Sequence, residues 1–131
     1  MRFKKWKKPR IVEGRLTKWN WMVQHADNLK MGKMVDVGAF TYINAKHGVV
    51  IGDNVQIGSH CSIYSVSTID EKHGPVVLEE SCRIGSHSVV MPNVRIGRNS
   101  IIGAFSFVNK DIPDNVVAHG VPASVVKKVQ E

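Results

Sequence analysis

The chain has 131 residues, 43% of them hydrophobic and 22% charged, with a formal net charge of +7, a composition that fits one ordinary globular domain. No apolar run approaches the roughly 20 residues needed to cross a bilayer, and the opening MRFKKWKKPR lacks the apolar centre of a secretory leader, so a cytoplasmic protein without stable membrane insertion is expected. The basicity is local, because Arg2, Lys4, Lys5, Lys7, Lys8 and Arg10 fall within the first ten residues; nothing downstream resembles a nucleic-acid module, and no nucleic-acid partner is expected.

Residues 1–30 read as a basic N-terminal arm and cap. The arm, which interleaves its cations with Phe3 and Trp6, is expected to be solvated. Residues 11–30 carry Trp19 and Trp21 one residue apart, with His25 close behind, and are expected to close the end of a repeat array.

From Met31 onward aliphatic residues recur every six positions: Met31, Val37 and Ile43, then Ile51, Ile57 and Ile63 after a longer step across AKHGVV. His47 sits in that step at a nominally interior place and is expected to be a hydrogen-bonded structural histidine. Residues 78–113 repeat without a break, with Leu78, Ile84, Val90, Ile96, Ile102 and Val108 at the first place of successive hexads. Four places on come Cys82, Ser88, Val94, Ser100, Ser106 and Ile112. A period of six fits neither a helix at 3.6 nor a strand at 2, so the unit is a short strand plus a corner. Its large aliphatic fills an interior, and the glycine often following it is expected to adopt backbone angles other residues resist. Three hexads close one triangular coil, which stacks Leu78 on Ile96, Ile84 on Ile102 and Val90 on Val108 in parallel.

Cys61 and Cys82 take the small interior place and read as packing residues. Between the hexads lies an inserted loop at 69–77 holding Asp70, Glu71, Lys72 and His73; a rigid scaffold commonly places chemistry on such a loop. The repeat domain therefore spans 31–113, and 114–131 form a C-terminal turn and tail. Counting by hexads puts Phe40, His60, His87 and Phe105 in one outward column, with Ala39, Ser59, Ser86 and Ala104 beside it. The two histidines then stand one coil apart, about 4.8 Å along the axis.

IGDNV at 51–55, IGSH at 84–87, IGAFSFVNKDIP at 102–113 and NVVAHGVPASVV at 115–126 resemble segments of the hexapeptide-repeat acyltransferases, in particular the maltose and galactoside acetyltransferase branch. The resemblance implies an all-β, left-handed parallel β-helix, acetyl-CoA as co-substrate without a required metal, and a homotrimer with sites between subunits. It implies transfer of an acetyl group to a hydroxyl or amino group of a sugar or nucleotide-sugar. Carried over residue by residue, the cofactor-binding places are Ser86, Ala104, Asn109 and Lys110. The family's general-base histidine falls on Thr68, its acceptor-holding Asn on Gly38, and a Trp on Arg83. The candidate bases are therefore His60, one coil from Ser86, and His73 on the inserted loop. Asp70, Arg83 beside that loop, and His87 are the candidate acceptor contacts, with Arg83 favouring a phosphate-bearing acceptor.

Two other readings start from the same residues. A zinc lyase built on this solenoid would use His60 and His87 as two of three ligands, but no third is evident. A catalytically silent scaffold would bind a partner through its basic arm.

Overall fold

In the computed structural model, which describes residues 3–130, the chain climbs a three-sided prism one coil at a time. The first coil contains β1 (Met22–Gln24), β2 (Leu29–Met31) and β3 (Asp36–Val37), and the second β4 (Tyr42–Asn44), β5 (Val49–Ile51) and β6 (Gln56–Ile57). The third begins with β7 (Ser62–Tyr64) and leaves the prism as a small hairpin of β8 (Val66–Ser67) and β9 (Lys72–His73). It returns as β10 (Val76–Leu78) and β11 (Arg83–Ile84). The fourth holds β12 (Val89–Val90), β13 (Arg95–Ile96) and β14 (Ile101–Ile102). β15 (Phe107–Val108) opens a last partial coil, which ends in β16 (Val116–Gly120) and β17 (Ala123–Lys128).

Strands on each side pair in parallel. The first face is β1-β4-β7-β12-β15, the second β2-β5-β10-β13 and the third β3-β6-β11-β14-β16, with β17 antiparallel on its outer edge. The expected register is found: Leu78 faces Ile96, Ile84 faces Ile102 and Val90 faces Val108. This is the parallel β-helix expected from the repeat. Pairing starts at Met22, upstream of residue 31, and the insertion rejoins the second face at Val76 rather than Leu78.

The interior is a set of aliphatic ladders. Val23, Ile43, Ile63, Val90 and Val108 line one side, Ile51, Leu78, Ile96 and Ile112 another, and Ile57, Ile84, Ile102 and Ala118 the third, each at 3% exposure or less. Each Ile or Leu so buried contributes roughly 1.5–3 kcal/mol. Small residues fill the corners, and their hydroxyls are satisfied by the next coil: Thr41 donates to the Gly58 carbonyl at 2.8 Å and Ser65 to that of Asn44 at 2.7 Å. Cys61 and Cys82 are free thiols buried in these corners. Burial raises the Cys61 thiol, and pushes that of Cys82 up to about 12.

Two expectations change. The glycine after each aliphatic is needed for close approach and not for unusual angles: a Cβ on Gly85 would lie 2.4 Å from the Ala104 nitrogen, and one on Gly58 2.6 Å from that of Ser86. The left-handed conformation falls instead on non-glycine corner residues, among them Asn54, His60, His87, Asn99 and Phe105. Nor is the arm simply solvated. Arg2 lies outside the described residues, but Trp6 packs on the core and its indole N–H donates to the Val35 carbonyl at 2.9 Å, so the arm covers the open N-terminal end of the prism.

Candidate functional site

The corner joining the third face to the first repeats in four coils as GAFT, GSHC, GSHS and GAFS. Its third residue adopts positive φ each time: Phe40 at 64°, His60 at 57°, His87 at 60° and Phe105 at 60°. That turn throws the side chain outward, and the coil spacing stacks the rings. His60 lies 4.7 Å from His87 at an interplanar angle of 4°, His87 4.9 Å from Phe105 at 15°, and Phe40 5.4 Å from His60. Ser86 and Ala104 run beside this ladder. The Ser86 carbonyl accepts from the Phe105 N–H at 3.0 Å, whereas the N–H groups of Ser86 and Ala104 donate to no carbonyl among the described residues. The corner thus offers a narrow path bordered by small side chains, backbone donors and stacked imidazoles.

The inserted hairpin leaves from the opposite edge of the first face. Val66 pairs with His73 and Ser67 with Lys72, and the His73 ring lies 4.8 Å from that of His47. His47 is exposed there rather than interior: its backbone N–H donates to Ser65 Oγ at 3.0 Å, and its ring meets the hairpin. Asp70 accepts from the Ser67 hydroxyl and lies 3.5 Å from Lys72 Nζ, so it ties the hairpin turn. The Ser67 hydroxyl, ahead of the Lys72 charge, holds its carboxyl below the usual range.

Arg83 is not beside the hairpin. It lies on the outer surface of the third face, between Gln56 and Ile101, and its guanidinium reaches Asn99 Oδ1 at 3.4 Å. A shallow hollow of about 410 Å³ over that face connects Arg83 to Gly58 and Gly85, the residues that precede Ser59 and Ser86. Asn109 and Lys110 are exposed just after β15, on the same edge of the first face as the hairpin and two coils beyond it. The structure therefore gathers His60, Ser86, His87 and Ala104 on one corner, Asp70, His73, Asn109 and Lys110 along another, and Arg83 on the third face.

Sequence reasoning missed what lies between the two corners. On the outer surface of the first face, Tyr42 and Tyr64 pack with ring centroids 5.9 Å apart, Tyr42 donates to Gln24, and the Asn44 side-chain amide donates to the Tyr42 oxygen at 3.1 Å. The signal was present: these residues take the outward places of hexads whose inward places are Ile43 and Ile63. No group of three His, Cys, Asp or Glu among the described residues is arranged to hold a metal ion.

Two family models match the chain, "Bacterial transferase hexapeptide (six repeats)" over residues 75–110 and "Hexapeptide repeat of succinyl-transferase" over 48–68. A galactoside O-acetyltransferase of Lactococcus lactis is 54% identical over 56 residues, 43% of this chain and 27% of that protein. One from Escherichia coli is 51% identical over 57 residues, 44% of this chain and 28% of that protein. The matched stretch thus spans little more than a quarter of these relatives. Among solved structures, a maltose O-acetyltransferase from Clostridium difficile superimposes with a TM-score of 0.73 at 32% identity, covering 86% of this chain and 65% of that one.

Proposed function

From the premise that the chain belongs to the hexapeptide-repeat, left-handed β-helix acyltransferases, we propose that it is an acetyl-CoA-dependent acetyltransferase. It modifies a hydroxyl or amino group of a sugar or nucleotide-sugar, and works as a homotrimer with its sites between subunits. The observation that carries this reading is the corner where Ser86 and Ala104 leave backbone donors unused beside the His60–His87 stack. The relatives named galactoside and maltose O-acetyltransferases support it.

Acetyl-CoA supplies a thioester carbonyl as electrophile and a thiolate as leaving group. The residues present fit such a co-substrate. A thin amide-bearing arm lies along the Ser86–Ala104 path because no large side chain obstructs it, and the unused N–H groups hold its carbonyls. Lys110 meets the phosphates as a point charge. His60, one coil from Ser86 on the same corner, takes the proton from the attacking acceptor O–H or N–H as the new bond to the acyl carbon forms; the proton is then available to the departing sulfur. His73, on the far edge of the first face, reaches that corner only from a neighbouring subunit. Binding both substrates on one corner supplies much of the rate through proximity. Arg83, across the hollow that opens onto Gly58 and Gly85, adds positive charge to the approach to that corner.

The test is steady-state consumption of acetyl-CoA with a panel of hydroxyl- and amino-sugars, free and nucleotide-linked. Turnover with at least one acceptor, falling by 10²–10⁴ in His60→Ala with the acetyl-CoA-induced rise in melting temperature retained, is expected. If no acceptor is consumed and acetyl-CoA leaves the melting temperature unchanged, the reading fails. If the loss follows His73→Ala instead, the base sits on the hairpin.

A further inference from the structure

All three tryptophans of the chain meet in one cavity. Trp6 from the arm and Trp19 and Trp21 from the cap line a pocket of about 430 Å³ at the N-terminal end of the prism, with Lys5, Lys7 and Lys18 around it. Trp21 forms a buried wall at 3% exposure, whereas Trp19 stands at the rim at 52% with Lys18 Nζ 5.5 Å from its ring centroid. The size falls within the range of small-molecule sites. Core packing accounts for Trp21 and the Trp6 hydrogen bond, but not for an exposed indole and three ammonium groups around the same hollow. Against those three positive charges the lining carries one carboxylate, Asp36.

The pocket is also connected to the proposed site. The Lys18–Asn20 turn is tied to the ring ladder, since the Asn20 carbonyl accepts from the Phe40 N–H at 2.6 Å. The Phe40 ring in turn lies 5.4 Å from that of His60. Phe40 and His60 are one coil apart, so the cavity lies on the order of 10 Å below the His60–His87 level. Lys110, the proposed phosphate contact of the donor, lies beyond that level at the other end of the prism.

We propose that this cavity binds the nucleoside diphosphate part of a nucleotide-linked sugar acceptor, with the base between the indoles and the diphosphate on Lys5, Lys7 and Lys18. Aromatic faces stack any base at about 1–3 kcal/mol each, and ammonium groups bind phosphate with strong salt dependence. The sugar then points up the corner toward His60. Donor and acceptor enter from opposite ends and meet at the histidines. The assignment to the acceptor rests on the acetyltransferase reading; the affinity for a nucleoside diphosphate does not.

Because every tryptophan lines the cavity, intrinsic tryptophan fluorescence reports on it directly. UDP and dTDP, titrated into the full chain and excited at the red edge of indole absorption, should quench the emission saturably. Added salt should weaken binding, and Lys18→Ala and Trp19→Ala should each weaken it several-fold. Absence of quenching, equal binding of inorganic pyrophosphate, or an emission shift with anionic phosphatidylglycerol vesicles but not with nucleotides would overturn the site. Tighter binding of coenzyme A than of UDP or dTDP at these tryptophans would overturn its assignment to the acceptor. Thermal shift by acetyl-CoA on the same samples separates the two readings: its persistence without nucleotide quenching removes this site alone, and nucleotide quenching without it removes the acetyltransferase.

Discussion

At Gly85 one methyl group is the difference between a coil that stacks and one that does not. The added Cβ would meet the backbone nitrogen of Ala104 at 2.4 Å, and a backbone atom inside a parallel ladder has nowhere to move. Gly85→Ala is expected to cost about 1–3 kcal/mol, read as a lower urea midpoint with an unchanged slope. The cysteines give a second prediction at this scale. Cys82 sits in a corner at 0% exposure, and its thiol is raised by burial from 9.0 to about 12. The native protein should therefore resist thiol reagents that label both cysteines once it is unfolded. The sign of the pH effect follows from the same shift. Between pH 9 and 12 the unfolded chain has released a proton that the folded chain still holds, so stability falls as pH rises through that window. A denaturation series on the alkaline side should show this fall, and Cys82→Ser should reduce it.

The elements divide into those fixed by period and those fixed by contact, and this decides what could be read in advance. The strands of the coils follow from the hexads at Leu78, Ile84 and Val90 because one large aliphatic per side determines which residue points inward. His60, Ser86, His87 and Ala104 fall on one corner for the same reason: counting hexads is counting coils. The hairpin of β8 and β9 has no period. Its antiparallel pairing, the Ser67–Asp70–Lys72 tie and the approach of His73 to His47 depend on contacts across the insertion, and no spacing rule contains them. Nearness in sequence suggests Arg83 beside the insertion, whereas the second face and the corner at 79–82 lie between them. The Trp6 contact with Val35 was illegible for a similar reason, since a basic arm with two aromatics has the composition of a solvated tail. The hairpin itself yields a prediction. The Asp70 carboxyl is held below 3.8 chiefly by the Ser67 hydroxyl, so its contribution to the turn is present above the ordinary carboxylate range and disappears as pH falls through its lowered value. Asp70→Asn should speed amide hydrogen exchange at Lys72 and His73 at neutral pH while leaving exchange at Ile63, Leu78 and Ile84 unchanged.

At the scale of the whole molecule, a solenoid has two open ends and three long faces, and this chain treats them differently. The ends are covered from within: Trp6 and Trp21 at the first coil, and at the last the β16–β17 hairpin, which lays its own strand against β14. The corner that carries the ring ladder is left exposed, with Phe105 at 68% and Phe40 at 58%. Lys110 is separated from the Ser86–Ala104 path on its own chain by the full width of the first face. The proposed donor groove, if it uses both, is therefore completed either around one chain or across two neighbours of the proposed trimer. Mixed assemblies distinguish these arrangements. Ala104→Trp should obstruct the path and Lys110→Glu should repel the phosphates, so each variant alone should lose the proposed acetyl transfer while keeping the fold. If the groove is shared, coexpressed mixed assemblies contain interfaces where an intact path meets an intact Lys110, and activity returns in proportion to those interfaces. If the groove lies on one chain, every subunit carries a lesion, and mixing restores nothing.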